Sequence, residues 1–103
     1  MVLKSKHLKT KIQRLAFVLR GKNRRDIIRV LFDGQKTANE ISSLTGISIS
    51  NVCRVLNELK RHSLITNLTP NLNRGQIYDV TPLTFEFKDE LELHLQIRRE
   101  GRD

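Results

Sequence analysis

The chain has 103 residues, of which 38% are hydrophobic and 29% are charged, and its 19 basic and 11 acidic side chains give a formal net charge of +8. This length and composition predict one small globular domain over residues 1–103, with no signal peptide and no apolar run long enough to cross a bilayer. They also disfavour a buried catalytic cleft. The single cysteine, Cys53, cannot form an internal disulfide, which favours a reducing, cytoplasmic location.

The first two elements are predicted to be helices. Apolar residues recur at helical spacing from Leu8, which predicts an N-terminal helix over residues 8–20. Gly21 is expected to end this helix in the left-handed conformation that glycine adopts readily. Asn23 is then expected to cap a second helix, which a turn at Gly34 closes.

A capping box predicts the start of a third, short helix. In Thr37-Ala38-Asn39-Glu40, the threonine hydroxyl and the glutamate carboxylate can each bind a free backbone amide. Ile41 and Leu44 are expected to form the buried side of this helix, and Gly46 is expected to end it. Ser48 can cap a fourth helix. The apolar residues of the fourth helix recur at i, i+3, i+4 and i+7 and are Val52, Val55, Leu56 and Leu59.

A β-hairpin and a last helix complete the chain. The stretches 64–68 and 76–80 are rich in β-branched and aromatic residues and enclose a segment of turn-forming residues, which predicts two paired strands with a polar tip. Thr81 and Pro82 are residue types of a helix start and predict a C-terminal helix over residues 83–100.

The order of these elements predicts a winged helix-turn-helix over residues 23–82, flanked by the N-terminal and C-terminal helices. The predicted fold class is therefore mainly α with a small β-hairpin wing (α+β). Packing of Ile41, Leu44 and Ile47 against the apolar stripe of the fourth helix would hold the third and fourth helices at a steep angle. The opposite face of the fourth helix would then lie in solvent.

The exposed face of the fourth helix carries hydrogen-bonding side chains. When each residue advances about 100° from Val52, four polar residues fall between about 140° and 200°, opposite the apolar stripe. They are Ser50, Arg54, Asn57 and Arg61. A DNA major groove admits a helix, and arginine and asparagine can bind guanine and adenine through paired hydrogen bonds. A polar exposed face is also common on surface helices, so this pattern alone leaves both interpretations open.

The basic charge is concentrated at the N-terminal end. Residues 1–36 hold 11 basic and 2 acidic side chains, residues 37–82 hold 4 and 3, and residues 83–103 hold 4 and 6. Such a cluster is typical of a surface that contacts nucleic-acid phosphates. A solvated helix face that maintains solubility would show the same pattern. Pairing of the basic end with the acidic C-terminal segment, within one chain or between two chains, is a third interpretation.

A sequence motif extends over about residues 24–82. Its parts are Glu40-Ile41, Gly46-Ile47-Ser48, Val52-Cys53-Arg54, Leu56, Leu59 and Leu64-Ile65, followed by Asn73-Arg74-Gly75 and Tyr78-Asp79-Val80-Thr81. In these residues the chain resembles winged helix-turn-helix transcriptional regulators of the MarR and ArsR type, small proteins of archaea and bacteria. One departure is His62-Ser63, where that family often has a glycine that ends the helix.

The resemblance implies a transcriptional regulator that binds double-stranded DNA sequence-specifically as a homodimer. The helix from Ser48 to His62 would be the recognition helix in the major groove, and Arg74 would be the wing residue at the minor groove. The residues expected to contact DNA from the recognition helix are Ser48, Ser50, Asn51, Arg54, Asn57, Lys60 and Arg61, and those from the wing are Asn73 and Arg74. The residues expected to contact or attract phosphates are Lys9, Lys11, Arg24, Arg25 and Lys36.

The two flanking helices are the predicted dimer interface. Their apolar stripes are broader than a winged helix needs for its own core, and flanking helices form the dimer interface in similar regulators. The residues expected in the interface are Leu8, Ile12, Leu15, Phe87, Leu91 and Leu95. The alternative is that these helices close a monomeric core.

The sequence predicts no metal site, no cofactor and no catalytic site. His7, His62 and His94 lie in different elements, whereas a transition-metal site needs several converging ligands. Cys53 is expected to be a small buried residue at the edge of the core, and a redox-responsive thiol is the alternative interpretation. Without a phosphate-binding loop or a triad pattern, the chain is not expected to be an enzyme. The alternative function is a winged-helix protein-interaction module in a transcription or replication assembly, an interpretation that the near-neutral charge of residues 37–82 keeps open.

Overall fold

The computed structural model describes residues 10–100 and, within the last helix, side chains up to residue 94. This part of the chain contains six helices and a sheet of three short strands. The elements are α1 (Lys11–Leu19), α2 (Lys22–Phe32), β1 (Lys36–Thr37), α3 (Ala38–Thr45), α4 (Ile49–Arg61), β2 (Ile65–Asn67), β3 (Ile77–Val80), α5 (Pro82–Phe85) and α6 (Lys88–Glu100). The arrangement is a winged helix-turn-helix with flanking helices, which confirms the predicted α+β fold class. Within residues 10–100, no helix has the length and apolar character needed to span a membrane.

The three strands form an antiparallel sheet in the order β1, β3, β2. Strands β2 and β3 are the predicted hairpin, with Ile65 opposite Val80 and Asn67 opposite Tyr78. Strand β1 adds to the free edge of β3, where Lys36 pairs with Tyr78. It has no signature in the sequence, because a two-residue strand shows no alternation.

A continuous apolar core lies between the helices and the sheet. The four stripe residues of α4 are at most 3% exposed, as the helical spacing predicts. The buried core consists of Val18, Ile27, Ile28, Leu31, Phe32, Ile41, Ile47, Val52, Val55, Leu56, Leu59, Leu64, Ile65, Phe87 and Leu91. Full burial of one such large side chain stabilises the fold by about 1.5–3 kcal/mol. Because the stripe faces this core, the opposite face of α4 is left in solvent.

The predicted helix ends around the helix-turn-helix are confirmed. Thr37 and Glu40 form the capping box: Thr37 Oγ1 accepts the Glu40 amide at 3.2 Å, and Glu40 Oε1 accepts the Thr37 amide at 2.8 Å. Gly46 ends α3 in the left-handed conformation, with φ 78°. Ser48 caps α4 by accepting the Asn51 amide. The turn between the two helices therefore has the sequence Gly46-Ile47-Ser48.

The N-terminal helix begins later than predicted. Thr10 is its N-cap, in an extended conformation, and forms a capping box with Gln13. Helix α1 therefore starts at Lys11 and ends at Leu19, whereas the apolar spacing predicts residues 8–20. Residues 8 and 9 lie outside the described part of the chain.

The junction between α1 and α2 also differs from its prediction. Gly21 has φ −117°, which is not left-handed, and it is the N-cap of α2 in place of Asn23. Only Arg20 and Gly21 separate the two helices, which leaves no room for both a left-handed end and a separate cap. A Cβ atom on Gly21 would lie 2.8 Å from Cδ of Arg24, so the glycine here makes space for the Arg24 side chain.

The predicted C-terminal helix is divided in two. Thr81 caps α5 and Pro82 begins it, as expected, but α5 ends at Phe85 and α6 starts at Lys88. Phe87 lies in the turn between them and is completely buried. The Phe87 amide donates to the Thr84 carbonyl at 3.1 Å and the Leu91 amide donates to the Phe87 carbonyl at 2.9 Å, so Phe87 lies where α5 ends and α6 begins.

Two side chains that the sequence places in the core are exposed instead. Leu44 on α3 is 61% exposed and lines an open cleft with Val30 and Glu92. Cys53 on α4 is also exposed. The core side of each helix is already filled, by Ile41 in α3 and by the apolar stripe in α4, so residues at the edge of that side face solvent.

Candidate nucleic-acid interface

The exposed face of α4 carries the predicted recognition residues. All seven side chains are exposed, and the structure places them on one helix or at its cap: Ser48, Ser50, Asn51, Arg54, Asn57, Lys60 and Arg61. The apolar stripe on the opposite side anchors the helix to the core. This geometry presents a row of hydrogen-bonding groups on a rigid element, which is what contact with base edges requires.

The first turn of α4 is organised by its own side chains. Ser48 Oγ accepts the Asn51 amide at 3.3 Å and lies 3.5 Å from Ser50 Oγ. Arg54 Nη2 donates to Asn51 Oδ1 at 3.4 Å, a long and therefore weak hydrogen bond. The Ser48 hydroxyl thus has a structural role as cap, while Asn51 and Arg54 lie side by side at the surface.

The end of α4 compensates for the missing glycine. Ser63 adopts φ 62°, the left-handed conformation that a glycine would take at this position. The Ser63 amide donates to the Lys60 carbonyl at 3.0 Å, and the Leu64 amide donates to the Leu59 carbonyl at 2.9 Å, which is the Schellman hydrogen-bond pattern. The chain therefore turns from α4 into the wing as it would after a glycine.

The wing loop holds Asn73 and Arg74 at its exposed tip, between β2 and β3. Gly75 follows with φ 68°, a left-handed turn that returns the chain to β3. The two predicted wing residues therefore project from the same loop. The structure brings this loop and α4 onto one domain with the short β2 strand between them.

Gln76 organises the wing and has no distinguishing signal in the sequence. Its Nε2 donates to the carbonyl of Leu72 at 2.9 Å and, more weakly, to that of Pro70 at 3.4 Å. Its Oε1 accepts from Asn67 Nδ2 at 3.2 Å and from the Tyr78 hydroxyl at 3.1 Å. One side chain thus links both strands to the loop tip.

Tyr78 remains a neutral hydrogen-bond donor to Gln76 at physiological pH. Partial burial raises the pKa of Tyr78 above its ordinary value, and the nearby Cys53 adds to the rise. Cys53 itself is exposed on α4.

The predicted phosphate contacts are mostly engaged within the chain. Lys11 Nζ lies 2.7 Å from Glu90 Oε2 on α6. Arg25 Nη1 donates to the Leu19 carbonyl at 2.6 Å, and Lys36 Nζ to the Gly34 carbonyl at 3.1 Å. Lys9 lies outside the described residues. The Lys11–Glu90 pair is an instance of the third interpretation of the charge distribution, in which the basic end pairs with the acidic end.

Arg24 departs most from the expected phosphate contact. Its guanidinium forms a double hydrogen bond with Glu58 of α4, at 3.2 and 3.1 Å, and donates to the Phe17 carbonyl at 2.8 Å. The side chains of Arg24 and Glu58 are only 22% and 25% exposed. Arg24 therefore binds Glu58 on α4 instead of pointing into solvent.

The predicted dimer interface needs correction. Phe87 and Leu91 are completely buried in the core of one chain, so their side chains cannot contact a second copy directly. Ile12 is 76% exposed and Leu15 is half-buried. The side chains of Leu8 and Leu95 lie outside the described part of the chain. Exposed apolar side chains on the C-terminal helices are Leu83, Phe85 and Leu93.

Within the residues that the structure describes, no group of three or more His, Cys, Asp or Glu side chains is placed to hold a metal ion.

The fold and the exposed helix face define a winged helix-turn-helix protein. Residues 21–66 match the model of the family described as bacterial regulatory protein, arsR family. The matched residues contain α2, α3 and α4, the helix-turn-helix part of the fold. No curated protein sequence gives a match.

Several solved structures share this fold. HlyU from Vibrio cholerae N16961 is 23% identical, with a TM-score of 0.67 over 84% of this chain and 90% of that chain. The homodimeric winged helix-turn-helix DNA-binding domain of Mb0332 from Mycobacterium bovis is 20% identical, with a TM-score of 0.62 over 89% and 81%. A protein of Enterococcus faecalis V583 described as a transcriptional regulator of the MarR family is 19% identical, with a TM-score of 0.66 over 98% and 100%. At these identities the likeness establishes the fold.

Proposed function

We propose that this protein is a transcriptional regulator that binds double-stranded DNA sequence-specifically as a homodimer. The observation that carries the proposal is the exposed polar face of α4, held by a buried apolar stripe within an arsR-type helix-turn-helix. The proposed activity is DNA binding without a catalytic step. A DNA partner implies a location in the cytoplasm.

The side chains of α4 divide into two roles. Ser50, Asn51, Arg54 and Asn57 lie in the first part of the exposed face, where a recognition helix contacts base edges. Lys60 and Arg61 lie in the last turn and are suited to phosphates. The Ser48 hydroxyl, which caps the helix, positions its first turn.

The wing is proposed to reach the neighbouring minor groove. Arg74 at its tip carries a positive charge, and a narrow minor groove has an enhanced negative potential that attracts arginine. Asn73 beside it can donate to base or sugar acceptors. The hydrogen bonds of the Gln76 side chain would hold the loop in one conformation in the free protein. This would reduce the entropy cost of binding DNA.

A homodimer is proposed because one recognition helix reads only a few base pairs, and two copies read a palindrome. Since Phe87 and Leu91 belong to the core, the interface would use exposed apolar residues of the flanking helices, of which Ile12 and Leu93 are the most exposed. The Lys11–Glu90 ion pair places the start of α1 beside α6, so the two helices can form one surface.

The salt dependence of binding tests this proposal. Association with a duplex should weaken by about a thousandfold or more between 50 and 200 mM salt if a dimer neutralises six or more phosphates. Fluorescence anisotropy of a labelled duplex drawn from a pool of bound sequences measures this. Absence of duplex binding at low salt, together with salt-insensitive capture of a protein partner, would favour the protein-interaction alternative instead.

A further inference from the structure

Three elements meet at the Arg24 side chain. Arg24 belongs to α2, its Nε and Nη2 bind the two carboxylate oxygens of Glu58 on α4, and its Nη1 binds the Phe17 carbonyl on α1. The guanidinium carbon also lies 3.8 Å from the centroid of the Phe17 ring, a cation–π contact. Arginine suits this position because its planar group can form paired hydrogen bonds and stack at the same time.

Two neighbours are fitted to this arrangement. A Cβ on Gly21 would lie 2.8 to 3.0 Å from Cδ, Cγ and Nε of Arg24, so the glycine leaves the path of the arginine side chain open. The Phe17 ring also packs edge-on against the His62 ring, with centroids 4.7 Å apart. His62 is the C-cap of α4. Phe17 therefore contacts α4 at its end and, through Arg24, at Glu58.

We infer that Arg24 is a positioning residue, which with Phe17 and Glu58 fixes the orientation and the charge of the recognition helix. This inference rests on the proposed DNA-binding function. We name the set Phe17, Arg24 and Glu58 the α4 bracket. The α4 bracket fixes the orientation of α4 because its hydrogen bonds connect α4 to α1 and α2. In charge, Arg24 neutralises a carboxylate that would otherwise repel phosphates from α4, because Glu58 is the acidic residue of that helix.

The two possible roles of Arg24 predict opposite changes in the DNA affinity of the variant Glu58→Gln. If Arg24 contacts phosphate, Glu58→Gln releases it and removes a negative charge, so DNA binding should be unchanged or tighter. If Arg24 positions the helix, Glu58→Gln weakens its bidentate hold, and DNA binding should weaken by about tenfold despite the loss of a negative charge. Glu86→Gln, an exposed acid at the end of α5, is the matched control and should leave affinity within about twofold.

A charge-neutral variant isolates the geometric role. Gly21→Ala introduces no backbone strain, since φ is −117°, but its methyl group would displace the Arg24 side chain. We expect weaker binding to the selected duplex and an unchanged slope of log affinity against log salt. Loss of a phosphate contact would instead lower that slope by about one unit per protomer.

Anisotropy titrations of the full chain at several salt concentrations, with thermal unfolding of each variant as a check of folding, provide the test. The inference predicts that Glu58→Gln and Arg24→Gln each bind DNA more weakly than the unmodified chain. Because both variants break the same contact, the double variant should have about the affinity of the more impaired single variant. Unchanged or tighter binding by Glu58→Gln overturns the α4 bracket while the proposed function stands. Absence of duplex binding by the unmodified chain overturns both.

Discussion

Lys11 and Glu90 join α1 to α6 through an ion pair of 2.7 Å between Nζ and Oε2. A hydrogen bond and the charge of Glu90 raise the pKa of Lys11, and the hydrogen bond from Lys11 lowers the pKa of Glu90. One cation of the basic N-terminal region is therefore used within the chain. The pair also fixes where the two flanking helices, the proposed dimer surface, lie relative to each other.

The Lys11–Glu90 pair predicts a pH window for its stabilising effect. Because the pKa of Glu90 is lowered, its contribution is present above the ordinary glutamate range and is lost as acid protonates it. Because the pKa of Lys11 is raised, its contribution is present below the ordinary lysine range and is lost at high pH. Glu90→Gln should therefore lower the melting temperature slightly at pH 7 and have no effect at pH 3. Both side chains are about half exposed, so added salt should reduce the difference.

Thermal unfolding of Glu92→Gln, an exposed acid on the same helix, is the control for the loss of one charge. If Glu90→Gln lowers the melting temperature equally at pH 3 and at pH 7, the ion pair does not stabilise the fold as described.

Arg54 is predicted to determine base specificity. If its guanidinium forms a bidentate contact with guanine, Arg54→Ala should cost roughly 1–3 kcal/mol on the preferred duplex and much less on unrelated duplexes. Competition binding with both duplexes measures this loss of discrimination. Arg29→Ala, on the exposed surface of α2, removes the same charge and should retain the discrimination. Equal weakening on all sequences would assign Arg54 to phosphate contact.

Gln76 is predicted to affect DNA binding without touching DNA. Gln76→Ala removes the hydrogen bonds to the Leu72 carbonyl and the Asn67 side chain, which should loosen the wing tip. We expect weaker DNA binding with an unchanged salt slope, because no charge is lost. Arg74→Ala should weaken binding and also lower the slope by about one unit per protomer. Identical affinities for Gln76→Ala and wild type would show that the wing needs no preformed conformation.

Two left-handed residues at the ends of α3 and α4 predict opposite effects on stability. Ser63 has φ 62°, so Ser63→Gly should relieve strain and raise the free energy of unfolding by about 0.5–1 kcal/mol. Gly46 has φ 78° and open space where a Cβ would lie, so Gly46→Ala should lower it by about 1 kcal/mol through strain alone. Urea denaturation measures both. A destabilised Ser63→Gly variant would mean that the serine side chain contributes more than its backbone conformation costs.

The division between core and interface predicts different outcomes for two apolar residues. Phe87→Ala removes a completely buried ring and should lower the free energy of unfolding by about 3–5 kcal/mol. Ile12→Lys changes a side chain that is 76% exposed and should produce a folded monomer. Light scattering and thermal unfolding of both variants distinguish the two effects. A dimer that persists in Ile12→Lys, and in Leu93→Lys as a second variant, would contradict the proposed interface.

The elements that the sequence predicts well are those with a local physical signature. The Thr37–Glu40 capping box, the left-handed Gly46 and the apolar stripe of α4 depend on residues within one or two turns of each other. Strand β1 and the burial of Phe87 depend on distant partners, and local spacing does not specify them.

The candidate site shows the same division. The exposed face of α4 follows from helical periodicity, whereas the role of Arg24 depends on Glu58, 34 residues further along the chain. Net charge along the sequence cannot distinguish a free cation from one that is paired in the fold. For that reason the sequence predicts phosphate contacts for Lys11 and Arg24, whereas the structure shows both side chains in ion pairs.

Selection of bound duplexes from a random-sequence pool tests the central claim most directly. A homodimer that inserts one recognition helix per half-site predicts enrichment of an inverted repeat, with half-site centres about 10 base pairs, or one helical turn, apart. Recovery of sequences without enrichment, or failure to retain any duplex at low salt, would contradict the account of this protein as a sequence-specific DNA-binding regulator.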